Sequence, residues 1–156
     1  MKHSEINAAL EALKEIKWDK IEDKELRSVL INNHFTMFDA GKRLDAERAR
    51  LEEVILAPYK EEQEKVKDLN QKMQAVETPA EQREILREIL AFEGLNSAVK
   101  ELNRKVEALY KEDVKGLKRI DREKFTEEAM KQPGFKTSWL EGLYPLFVID
   151  EKPKNK

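Results

Sequence analysis

Between residues 79 and 115 an apolar side chain recurs every three or four positions at heptad spacing. Ile85, Phe92, Val99 and Val106 fall seven apart, with Leu95, Leu102 and Leu109 interleaved at the complementary seam. Such a stripe predicts a long helix that buries one narrow face against a partner helix. Upstream, Ile6, Ala9, Leu10, Leu13 and Ile16 predict a short first helix capped by Ser4. Trp18, Asp19 and Ile21 read as a connector, and Asp23 is placed to cap a second, much longer helix. On it Leu30, Met37, Leu44 and Leu51 recur every seven residues, with Leu26, Ala40 and Val54 near the second seam position. Pro58 lacks a backbone donor and would cost about 3 kcal/mol inside an unbroken helix. A kink or short break is therefore expected there, with Val66, Leu69, Met73 and Val76 carrying the stripe onward.

Thr78-Pro79-Ala80-Glu81 combines an N-cap, a proline at the first helical position and a glutamate able to close a capping box. So short a connection makes the flanking helices antiparallel neighbours, turning at residues 77 to 79. Folding there would set Leu69 near Leu86, Ile55 near Val99 and Leu44 near Leu109. Gly116 is expected to cap the third helix. Asp121 is expected to start a fourth, through Phe125, Ala129 and Met130, stopped by Pro133-Gly134. Ser138 and Glu141 resemble a second capping box over Trp139 and Leu140. Tyr144 to Ile149 is apolar without evident helical period and contains Pro145, which predicts an extended strip. The tail from Asp150 to Lys156 is expected to fray.

Of the aromatic residues, only Tyr59 and Phe92 lie between positions 58 and 105. Trp18, Phe35, Phe38, Tyr110, Phe125, Phe135, Trp139, Tyr144 and Phe147 all fall in segments that such a hairpin brings to one end. Large rings dominate burial energy. The expected fold is therefore all-α: a long antiparallel helical hairpin, a coiled-coil-like stalk over about residues 58–105, with a small helical head. The head would be built from both chain ends, about 1–57 and 106–150, within one domain spanning residues 1–156.

Composition sharpens this picture. Charged residues make up 40% of the chain, yet the net charge is only −2. Interleaved acids and bases suit solvated helix faces better than a nucleic-acid stripe. There is no cysteine, so disulfides and thiolate metal sites are excluded. No run of about 18 apolar residues occurs, and the first residues lack a signal-peptide core. A cytoplasmic protein with no membrane partner is the expectation.

Candidate chemistry is sparse. His34 has no second histidine or glutamate at ligand spacing, so it reads as a structural residue and no metal is expected. The acidic runs Glu61-Glu62-Gln63-Glu64 and Glu81 to Glu88 alternate with lysine and arginine. Acid–base catalysis needs a pocket that shifts a carboxyl pKa, and a thin stalk offers none. No catalytic residue and no cofactor is therefore expected. Lys42, Arg43, Arg48 and Arg50 form the nearest approach to a phosphate-contacting cluster and carry an alternative reading, a nucleic-acid-associated protein. Asp45, Glu47, Glu52 and Glu53 interleave with them and largely cancel their field.

The apolar stripe is wider than one partner helix needs, through Leu86, Ile89 and Leu90 on the third helix and Ile55 and Leu56 on the second. Leu86, Ile89 and Leu90, with Trp139, Tyr144 and Phe147 of the C-terminal segment, are thus the candidate partner-binding residues. They point to a non-enzymatic interaction protein, an assembly, adaptor or chaperone-like factor, that binds a protein partner or itself.

Three segments carry a resemblance of layout: Ile6-Asn7-Ala8-Ala9-Leu10-Glu11-Ala12-Leu13, Leu44-Asp45-Ala46-Glu47-Arg48-Ala49-Arg50-Leu51, and Trp139-Leu140-Glu141-Gly142-Leu143-Tyr144-Pro145-Leu146. A short opening helix, a long charged helix and a leucine-rich closing turn resemble small helical proteins of unknown function encoded by tailed phages and prophages. The likeness touches about half the chain, and the Thr78-Pro79 stalk is longer than that group's pattern. It implies no activity and no functional residue.

Overall fold

Asp23 starts the longest helix as its side chain predicts, its Oδ1 accepting a hydrogen bond from the Leu26 amide at 2.9 Å. The computed structural model describes residues 1–149; the tail expected to fray, 150–156, lies outside the described residues. Seven α-helices are described: α1 Ile6–Glu15, α2 Lys24–Leu56, α3 Lys60–Ala75, α4 Pro79–Leu90, α5 Glu93–Lys111, α6 Arg122–Met130 and α7 Thr137–Phe147. Short 3₁₀ turns cover His3–Glu5, Trp18–Lys20 and Ala57–Tyr59. Among the described residues there is no strand, only a bridge between Lys2 and Asp113. The class is all-α.

The chain forms two compact units, one from Met1–Asp45 with the segment from Leu109 onward, the other Ala46–Ala108. The apolar pattern put its head–stalk boundaries near 57 and 106.

The first unit is organised by α1 against α7. Ile6, Ala9, Ala12, Leu13 and Ile16 of α1 are buried with Trp139, Leu143, Leu146 and Phe147 of α7. Leu26, Leu30 and Met37 of α2, and Ile120, Phe125 and Ala129 around α6, complete this core. Gly142 is what lets the two helices touch: a Cβ there would lie 2.6 Å from the Ala8 carbonyl oxygen. Two amide side chains pin loops to the core, each pairing with both hydrogen-bonding groups of one backbone residue. Asn33, fully buried, donates to the Lys118 carbonyl at 2.7 Å and accepts from the Lys118 amide at 2.8 Å. Gln132 does the same to Lys17, at 3.0 Å in each direction. Such pairing meets the requirement that buried polar groups find partners.

The second unit contains the local hairpin. α3 packs on α4 across the connection Val76-Glu77-Thr78. Thr78 Oγ1 accepts from the Glu81 amide at 3.4 Å and Pro79 opens α4, while Gln82 Nε2 donates to the Val76 carbonyl at 3.2 Å. Among the described residues of this unit, Leu56 and Leu95 are the buried apolar side chains.

Five expectations need correction. Ser4 does not cap α1: it lies within the 3₁₀ turn His3–Glu5, and α1 begins after Glu5 with no side-chain cap. The 79–115 helix is not continuous: it breaks at Ala91-Phe92 between α4 and α5. Asn96 Nδ2 reaches the Ile89 and Leu90 carbonyls at the end of α4, at 3.2 and 3.4 Å. Gly94, a weak helix former, lets the Tyr59 ring approach so closely that a Cβ would meet Tyr59 Cε1 at 3.0 Å. The break expected at Pro58 is present, as the turn Ala57–Tyr59, so Tyr59 from one interruption packs into the other.

The segment Tyr144 to Ile149 is not an extended strip. α7 runs through Pro145 to Phe147. Pro145 has no N–H to give the Glu141 carbonyl, a single bond lost near the helix end, and the carbonyls that follow it are open to outside donors, as at any helix C-terminus. Ile120 N–H donates to the Leu146 oxygen at 3.0 Å and Arg119 Nε to that of Phe147 at 3.1 Å. The capping box at Ser138 and Glu141 does not start this helix, which begins at Thr137 with no side-chain cap. Gly116 does not cap α5, which ends at Lys111; at φ +84° it turns the following loop instead.

Candidate interaction site

Burial sorts the expected contact residues into two classes. Trp139 and Phe147 are core side chains, 2% and 4% exposed, and are withdrawn as partner contacts. The helical spacing of Trp139, Leu143, Leu146 and Phe147 turns all four inward, a period masked by Pro145 when the segment is read as extended. Trp139 also satisfies its indole N–H, which donates to Glu15 Oε2 at 2.8 Å. This bond, and then Lys136 at 3.1 Å, holds the Glu15 carboxyl below the ordinary glutamate range. Tyr144, by contrast, stands on the outer side of α7 and is exposed. It borders a shallow hollow of the first unit with Leu117, Pro145, Val148 and Ile149.

Leu86 and Leu90 are exposed, one turn apart, and Ile89 is half-buried beside them. None of the α4 residues is buried.

Lys42 and Arg50 each make a contact within α2. Lys42 Nζ lies 4.6 Å from the centroid of the Phe38 ring. Arg43 lines a hollow of the first unit that also holds the acids Asp39, Glu112 and Asp113. Arg50 is bound by Glu47 one turn before it, Nε at 3.0 Å, which lowers the Glu47 pKa and raises that of Arg50. Arg48 is exposed. Each cation thus has its own surroundings, and Glu47 offsets the charge of Arg50.

A second apolar surface escaped the sequence reading. Ile31, Phe35 and Phe38 are exposed on α2, Phe35 by 62% and Phe38 by 46%. Aromatic distribution had put both rings in the core. The signal was in the helix period: Leu30, Met37 and Leu44 hold the buried face, and Phe35 and Phe38 fall outside it. His34 lies beneath them, edge-on to Trp18 at 5.3 Å and to Phe35 at 5.5 Å, and stacked on Phe38 at 6.4 Å between centroids. Its Nδ1 is buried with no hydrogen-bond partner.

Among the described residues no cluster of three or more His, Asp or Glu side chains is arranged to hold a metal ion. None of the described helices is long and apolar enough to cross a membrane. Comparison with known proteins finds no matching family, no matching curated sequence and no matching solved structure.

Proposed function

We propose that this chain is a non-enzymatic helical interaction protein, acting as an assembly, adaptor or chaperone-like factor in the cytoplasm. The observation that carries this reading is the apolar surface of α4, where Leu86 and Leu90 stand in solvent on a helix without a buried residue. A narrow hairpin covers one side of each helix, and a wider stripe calls for a further helix. A second copy is the economical source, since symmetric dimers are the commonest assemblies. An origin in a tailed phage or prophage, which the layout resemblance implies, belongs to the same proposal. The nucleic-acid alternative draws less support, because Glu47 offsets Arg50 and acids share the hollow beside Arg43.

Light scattering over a dilution series tests the proposal. The expected mass exceeds the 18.3 kDa monomer and falls on dilution, and Leu86→Ser with Leu90→Ser shifts that fall to higher concentration. A mass of 18.3 kDa at every concentration up to about 1 mM would exclude self-association with even weak affinity.

A further inference from the structure

The exposed rings of α2 stand in a basic setting. At 100° per residue, Lys24, Arg27 and Lys42 share the face of Ile31, Phe35 and Phe38, with Asp45 one turn beyond Lys42. That sums to three cations against one carboxylate. The positive end of the helix dipole lies at the Lys24 side and adds to them. Lys42 lies over one face of the Phe38 ring, 4.6 Å from its centroid. Among the described residues neither Lys24 nor Arg27 has an ion-pair partner. Asp23, just before the helix, is already committed to the Leu26 amide and to Lys124 at 3.9 Å.

We propose that this face docks an amphipathic helix of another protein, one with an apolar ridge and acidic margins. The ridge would lie on Ile31, Phe35 and Phe38, and the acids would meet Lys24, Arg27 and Lys42. Residues at intervals of four and three form the kind of ridge that a second helix accepts in its groove. Aromatic and arginine side chains at the centre of such a patch supply most of the binding energy. A second copy is a poorer occupant. Symmetric antiparallel pairing about His34 and Phe35 sets Arg27 against Lys42 twice and Lys24 against Asp45 twice, so repulsion and attraction cancel, whereas an acidic helix meets all three cations favourably. Nucleic acid would find stacking rings here, but Ile31 offers no stacking face and Asp45 repels phosphate.

The proposal rests on the interaction reading above but uses a surface separate from Leu86 and Leu90, so either can fail alone. The full chain is titrated, by fluorescence anisotropy, with two labelled synthetic helices of about 18 residues, long enough to reach from Lys24 to Lys42. Both carry leucine at i, i+3, i+4 and i+7; one is flanked by glutamates and the other by lysines. The glutamate peptide is expected to bind at least about tenfold tighter at low salt, with the gap closing near 1 M NaCl. Phe35→Ser with Phe38→Ser should weaken it about tenfold or more, with an unchanged circular dichroism spectrum and unfolding midpoint. Should that double variant unfold, Arg27→Glu with Lys42→Glu serves in its place and is expected to reverse the peptide preference. Equal affinity for the two peptides, or no binding by either, overturns the proposal. So does a tighter complex with an oligo-dT strand, or a chain self-association that the phenylalanine variant abolishes.

Discussion

The two compact units are written in the same alphabet of leucine, alanine, lysine and glutamate, yet they use it differently. In the first, α1, α2, α6 and α7 enclose Leu13, Leu30, Met37, Phe125 and Leu143, each shielded from solvent. In the second, most seam positions of α3, α4 and α5 are half-covered, and Leu56 and Leu95 are buried. Full burial of a leucine contributes about 1.5–3 kcal/mol, and two packed helices rarely supply it. Polar contacts divide in the same way. The first unit joins residues far apart in sequence: Asn33 with Lys118, Gln132 with Lys17, Glu15 with Trp139. In the second, Arg50 meets Glu47, and Arg104 and Lys105 meet Glu101, within a single helical turn or so. A heptad stripe makes a helix bury something; how much it buries depends on how many neighbours surround it.

The hardest test of this contrast is a matched pair of leucine truncations. Leu143→Ala, at a fully buried position, is expected to cost about 2–5 kcal/mol, and Leu86→Ala, on an exposed helix face, less than about 0.5 kcal/mol. Urea unfolding of both variants measures the difference, and comparable losses would erase the distinction between the units.

Gly142→Ala isolates the α1–α7 contact. Alanine gains up to about 1 kcal/mol of helix propensity over glycine. Its Cβ would nevertheless meet the Ala8 carbonyl at 2.6 Å, and backbone cannot swing aside as a side chain can. Overpacking of about 1–3 kcal/mol should win, so thermal unfolding is expected at a lower temperature. A stabilised variant would mean that these helices do not touch there.

Asn33→Ala removes a clamp rather than a contact. It empties a fully buried side-chain site and leaves the amide and carbonyl of Lys118 without their partner, an expected loss of about 1–3 kcal/mol. Faster hydrogen exchange in the 116–120 loop, with little change in α3 and α4, is the accompanying signature.

The smallest effect is electrostatic. Glu15 has a lowered pKa in the folded chain, first through the Trp139 indole and then through Lys136. Its stabilisation is therefore complete above the ordinary glutamate range and is lost as pH falls through the lowered folded value. Glu15→Gln should flatten that part of the acid unfolding curve. An acid limb identical to that of the parent chain would show that the Trp139 contact does not stabilise the carboxylate.

The amino-acid pattern alone determined what depends on neighbours in sequence. Asp23, Thr78 and Asp121 each cap the helix that follows, because an N-cap needs only a side chain three residues from the amide it binds. Pro58 interrupts α2 for a reason equally local. The tertiary structure alone decided the rest. The helix break at Ala91-Phe92 sits where Tyr59 lies against Gly94, and the last carbonyls of α7, after Pro145, are met by donors from Arg119 and Ile120. Exposure of Phe35 and Phe38, against burial of Trp139 and Phe147, follows from which side of each helix meets a neighbour. A periodic stripe records that a helix has an apolar side, but an aromatic ring is equally apolar in a core and on a docking face, and only the packing around it tells the two apart.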